Sequence, residues 1–160
     1  MAVIMVTRRR CHRGFGLLAS AGVSAVALAA CGGSGDGVEF ELVAVDLRPG
    51  GTEVGFVWPG EEPAIGGPAL RVVEGEQVTI TLGTPPDGRN SHDLMIVEDR
   101  DGFWGDFEAL WGAATDRVIA GQSDTITFVA GSPGTYGYVC TIPGHSDAGM
   151  KGDFIVASAS

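Results

Sequence analysis

Apolar and polar side chains alternate with a period of two over short stretches from residue 38 onward. In 38–45, Val38, Phe40, Leu42 and Ala44 flank Glu39 and Glu41; in 77–82, Val78, Ile80 and Leu82 alternate with Gln77, Thr79 and Thr81. Successive side chains of a strand point to opposite faces, so this pattern predicts strands with one face in a core and one in water. With β-branched content added, strands are predicted over 38–45, 52–58, 70–73, 77–82, 92–97, 117–120, 124–129, 135–140 and 152–157. Turn-forming clusters separate them, among them Arg48-Pro49-Gly50-Gly51, Pro85-Pro86-Asp87-Gly88 and Gly131-Ser132-Pro133-Gly134. The exception is 103–115, where Phe103, Phe107, Leu110 and Trp111 fall at helical spacing and predict one short helix or an irregular insertion. About eight short strands at this spacing predict an all-β, Greek-key β-sandwich or barrel. The 26 Gly and 8 Pro agree with a turn-rich β protein.

The first 30 residues break the pattern. Arg8, Arg9, Arg10 and Arg13 precede an apolar, small-residue run from Phe15 to Ala30. A basic segment followed by a short apolar one predicts a secretory signal peptide over 1–30. The run is shorter than the roughly 20 residues that span a bilayer. It ends Leu28-Ala29-Ala30-Cys31, which resembles the lipobox of bacterial lipoproteins, in which the peptide is cut before the cysteine and its sulfur is lipidated. Ordinary cleavage after Ala29 also fits the small-x-small rule. Both the general secretory and the twin-arginine export routes stay open. Residues 32–37 form a glycine-rich stretch suited to a flexible tether, so 31–37 is predicted as lipidated cysteine plus linker and 38–160 as one folded domain.

The formal net charge is −10, but all 20 acidic residues follow the signal segment and four of the ten basic ones lie within it. The remainder carries six basic against 20 acidic side chains, a net of −14. Such a surface repels nucleic acid and anionic headgroups and steers cationic partners, or serves to keep an exported protein soluble. Of three cysteines, Cys11 leaves with the signal and Cys31 is the lipidation candidate. Cys140 alone remains in the domain, so an internal disulfide is impossible, and a reactive thiol, an intermolecular bridge or a metal ligand must explain it.

Around Cys140 the chain reads Tyr138-Val139-Cys140-Thr141-Ile142-Pro143-Gly144-His145-Ser146-Asp147-Ala148-Gly149-Met150. A thiolate, an imidazole and a thioether thus share one loop between two predicted strands. Soft sulfur with imidazole suits copper, and two histidines and a cysteine with a weak axial methionine form the blue-copper set. The domain has one further histidine, His92, opening the strand predicted at 92–97. Met95, the rival axial ligand, stands an odd number of positions from His92 and so points to the other face of a strand. Zinc is disfavoured by the methionine.

Through Cys140-Thr141-Ile142-Pro143-Gly144-His145, and more weakly through the lead-in 70–80, residues 68–157 resemble the cupredoxins, the small blue type 1 copper proteins, of the auracyanin, rusticyanin, sulfocyanin and azurin type. The gap from His145 to Met150 is like that of auracyanin, rusticyanin and sulfocyanin. The resemblance implies one copper ion at one end of the sandwich, bound by ring nitrogens of His92 and His145, the Cys140 thiolate and axial Met150. Many cupredoxins carry asparagine after the first histidine; here it is Asp93, whose carboxylate can accept a hydrogen bond from Thr141 while adding negative charge near the metal. The implied function is one-electron transfer outside the cytoplasm by Cu(I)/Cu(II) cycling, and no enzyme activity. Electrons would pass through the exposed edge of His145, ringed by Ile142, Pro143 and Ala148, to redox partners such as a cytochrome, oxidase or reductase. A monomer held at the outer membrane face by its lipid anchor, without nucleic-acid partners, is expected. Copper delivery or storage is the alternative. The histidine beside the cysteine that copper nitrite reductases and multicopper oxidases use is absent, since Val139 and Thr141 flank Cys140.

Overall fold

The computed structural model describes residues 37–47, 53–102 and 107–160. The predicted signal peptide, Cys31 and residues 32–36 of the glycine linker therefore lie outside the described residues. Within them, eight strands follow in the order β1 (Val38–Asp46), β2 (Val54–Val57), β3 (Leu70–Val73), β4 (Gln77–Gly83), β5 (Met95–Val97), β6 (Ser123–Val129), β7 (Gly134–Val139) and β8 (Lys151–Ala157). They form two four-stranded sheets, β2-β1-β4-β6 and β3-β8-β7-β5. Only β1–β2 and β7–β8 are consecutive strands paired in one sheet; every other connection passes from sheet to sheet, as a Greek-key sandwich requires. Both sheets are mixed, because β1 runs parallel to β4 and β3 parallel to β8.

Alternation does what it predicts. Val38, Phe40, Leu42 and Ala44 of β1, Val78, Ile80 and Leu82 of β4, and Phe154 and Val156 of β8 turn inward and are buried in one core. Each fully buried large side chain contributes about 1.5–3 kcal/mol relative to exposure. The outer face of the first sheet is polar, with Thr79 and Thr81 hydrogen-bonded across to Thr127 and Thr125.

Three expectations need correction. The strand predicted at 92–97 is reduced to Met95–Val97, and no strand forms at 117–120. Instead His92 and Val118 make a single antiparallel bridge, exchanging both backbone hydrogen bonds at 2.9 and 2.8 Å. The helix predicted in 103–115 is, among the described residues, only a 3-10 turn at Leu110–Gly112, with Trp111 at φ 54°. The reason is tertiary. Residues 113–115 supply the outer edge of β5 with partners: Ile96 N–H donates to Ala113 O and Thr115 N–H to Leu94 O, both at 2.9 Å. An unpaired strand edge outweighs helical spacing, because its backbone groups need partners. The Trp111 ring then stacks on Phe128 at 6.1 Å and meets Tyr136 edge-on at 5.0 Å, closing the sandwich beside Phe154.

Candidate metal centre

Cys140 follows the last residue of β7 and Met150 precedes the first of β8. These strands pair antiparallel with Val139 opposite Lys151, and Cys140 N–H donates to Met150 O at 3.1 Å. The ladder therefore holds both sulfur residues side by side at the mouth of the loop. Inside the loop, His145 N–H donates to Ile142 O at 3.0 Å and Met150 N–H to His145 O at 2.9 Å. Gly149 stands at φ 101°, and a Cβ there would lie 2.6 Å from Ile65 Cγ2. Only glycine suits both that backbone and that contact. His92 arrives from the other side, fixed through its backbone to Val118.

The four side chains converge. His92 Nδ1 lies 3.3 Å from Met150 Sδ, and Cys140 Sγ lies 3.4 Å from His145 Nδ1. One ligand atom each of His92, Cys140 and His145 falls within 4.8 Å of the others. Such separations fit the edges of a ligand polyhedron with metal–ligand bonds of roughly 2.0–2.3 Å. His92, Cys140 and Met150 are fully buried, whereas His145 is half-exposed. Met95 lies within β5, opposite Val139, whereas Met150 is the one whose sulfur meets His92 Nδ1.

The protonation chemistry suits a cation. Burial lowers the pKa of both histidines, against the opposing pull of Asp46, so each keeps a ring lone pair at neutral pH. Burial pushes the Cys140 thiol up to about 12, assisted by the negative charge of Asp93 and opposed by backbone hydrogen bonds. A thiolate there is unfavourable unless a positive ion compensates it. Asp93 accepts hydrogen bonds from Thr141 N at 2.6 Å and Thr141 Oγ1 at 2.5 Å, tying the His92 segment to the Cys140 loop.

One residue at the site escaped the sequence reading. Asp46, at the end of β1, places Oδ1 3.4 Å from His92 Nε2. It is itself held by Arg89 N at 2.7 Å, Asn90 N at 3.2 Å and Asn90 Nδ2 at 2.6 Å. Burial works against its charge, but these donors and His92 together keep its carboxyl below the usual carboxylate range. No local spacing links Asp46 to His92; only the parallel pairing of β1 with β4, and the loop after β4, brings them together.

Residues 66–157 match the family described as copper binding proteins, plastocyanin/azurin family. Auracyanin-A of Chloroflexus aurantiacus is 30% identical over 154 residues, spanning 82% of this chain and 90% of that one. Auracyanin-B of the same organism is 52% identical over 44 residues, 28% of this chain and 19% of that protein. A copper-containing nitrite reductase of Alcaligenes xylosoxydans xylosoxydans is 31% identical over 122 residues, 74% of this chain but 33% of the reductase. The chain thus spans about a fifth of auracyanin-B and a third of the reductase. Among solved structures, the dithionite-reduced auracyanin of Roseiflexus castenholzii superposes with a TM-score of 0.52 at 26% identity, covering 74% of this chain and 96% of that one.

Proposed function

Since the chain belongs to the plastocyanin/azurin family of copper binding proteins and its His-Cys-His site suits one copper ion, we propose that it is a one-electron carrier working outside the cytoplasm, with His92, Cys140, His145 and Met150 as ligands. The observation that carries this reading is the convergence of two imidazole nitrogens and two sulfurs from two separate segments, His92 before β5 and the loop between β7 and β8, with only His145 reaching the surface. Copper in such a site supplies the Cu(I)/Cu(II) couple. The chain supplies rigidity. The β7–β8 ladder holds Cys140 and Met150, the bridge to Val118 holds His92, and the Asp93–Thr141 bonds lock the two halves together. Ligands so fixed rearrange little when one electron arrives or leaves. The electron passes through the exposed edge of His145, where Ile142, Pro143 and Ala148 offer a small apolar patch for brief docking by a cytochrome, oxidase or reductase.

The residues beside Cys140 weigh against a nitrite-reductase or oxidase chemistry, because Val139 and Thr141, and no histidine, flank it. Export by residues 1–30, a lipid on Cys31 and a tether over 32–37 would hold the monomeric 38–160 domain at the outer membrane face. Among the described residues no helix is long and apolar enough to cross a membrane.

The test is a visible spectrum of the purified protein titrated with Cu(II). An intense blue thiolate-to-copper band is expected, bleached by reductant and abolished in Cys140→Ser. A colourless protein that binds no copper would sink the reading, and ready loss of copper to a chelator without electron exchange would favour delivery or storage.

A further inference from the structure

His92 has two ring nitrogens, and copper ligation by Nδ1 uses one. The other, Nε2, is fully buried and, among the described residues, has no hydrogen-bond partner. A buried N–H left unpaired forfeits its hydration without recompense, so a partner is expected close by. The group it faces is Asp46 Oδ1, at 3.4 Å. That is a few tenths of an ångström beyond the roughly 2.7–3.2 Å of an N–H···O bond. A slight tilt of the imidazole would close the gap.

Asp46 is built to hold a charge at that spot. Its Oδ2 accepts the backbone N–H groups of Arg89 and Asn90, and its Oδ1 accepts the Asn90 side-chain amide. All three of these hydrogen-bonding groups are donors, which suits an acceptor-only carboxylate. The remote nitrogen of a metal-bound histidine characteristically donates to a carboxylate, a carbonyl or water, which fixes the tautomer and raises the basicity of the ligand. Asp46 lies outside residues 66–157, so the family match carries nothing about it.

We propose that Asp46 is a positioning residue of the copper site. Its carboxylate accepts a hydrogen bond from Nε2–H of His92, presents Nδ1 to the metal, and by its fixed negative charge favours Cu(II) over Cu(I). This assignment rests on the copper reading of His92. With Asp93 on the cysteine side, Asp46 makes a second carboxylate that holds the midpoint potential down. A merely structural Asp46, clamping the loop at Arg89 and Asn90, would affect folding stability and leave the potential alone.

The copper-loaded protein separates the two. Asp46→Asn is expected to stay blue while its reduction equilibrium shifts about tenfold toward Cu(I), a rise of ~59 mV for a one-electron couple. Asn90→Ala, which removes one donor and leaves the carboxylate, is expected to lower stability with the potential close to wild type. In the Cu(I) protein, imidazole nitrogen NMR is expected to show Nε2 of His92 protonated and slow to exchange, and this needs no variant. A blue Asp46→Asn protein with an unmoved potential overturns the assignment, as does an equal shift in Asn90→Ala or an unprotonated Nε2. Absence of any blue band in the wild type strikes the copper reading itself and is thereby distinguishable.

Discussion

Asp93 shows how one side chain serves two ends of the site. Its two oxygens take the backbone and hydroxyl protons of Thr141, so the residue after His92 is fastened to the residue after Cys140. An asparagine would keep both links, its Oδ1 accepting from Thr141 N and its Nδ2 donating to Thr141 Oγ1, so what the carboxylate adds at this position is its charge. Truncating Asp93→Ala leaves both Thr141 donors without this acceptor. A loss of about 1–3 kcal/mol in unfolding free energy is expected, measured by denaturant titration of the copper-free protein. Measured on the metal-free chain, the loss belongs to the hydrogen bonds and not to copper affinity. Tyr138, two residues before Cys140, is fully buried and donates its hydroxyl to Pro68 O at 2.6 Å. Burial raises its pKa well beyond the usual phenol range, so it remains a neutral hydrogen-bond donor within the core.

At the scale of elements, the segment between β5 and β6 carries more of the site than its lack of regular structure suggests. Its residues 113–115 and 118 pair with 92–96 and hold the His92 backbone in place. Trp111 anchors that segment over Phe128 and Phe154, and its left-handed backbone at φ 54° is unusual for a bulky residue. The indole needs Gly131 beneath it, because a Cβ there would sit 2.3 Å from Trp111 Nε1. Gly131→Ala is therefore expected to destabilise the fold by about 1–3 kcal/mol, read as a lowered denaturation midpoint. A glycine chosen merely as a turn residue would tolerate alanine far better.

For the whole molecule the governing quantity is charge. Six basic side chains face 20 acidic ones after residue 30, and among the described residues Arg100 is paired with Asp153 and Lys151 with Asp101, both at 2.7 Å. An acidic field of this kind accelerates encounter with cationic partners and is screened beyond about 8–10 Å at physiological salt. Stopped-flow mixing of the Cu(II) protein with a reduced cationic cytochrome is expected to bleach the blue band at a rate that falls several-fold from roughly 10 to 200 mM salt. A salt-independent rate would mean that the acidity serves solubility alone.

What the chain announces by itself is whatever depends on neighbours in sequence. Alternation along 38–45 and 77–82 declared strands with one buried face, because a strand's side-chain period is local. The Cys140, His145 and Met150 spacing pointed to a candidate metal loop, because all three side chains sit on one short connection between strands. What tertiary structure decided is everything set by contacts between distant segments. The helical spacing around Phe107 and Trp111 yielded to the unpaired edge of β5, and the strand predicted at 117–120 shrank to a single bridge at Val118. Asp46 came to face His92 only because β1 lies beside β4 and the loop that follows it. The candidate ligand types could be read from the order of residues. Their orientation, their burial and the carboxylate behind His92 required the packed sandwich, since folding places side chains in three dimensions that no spacing in one dimension encodes.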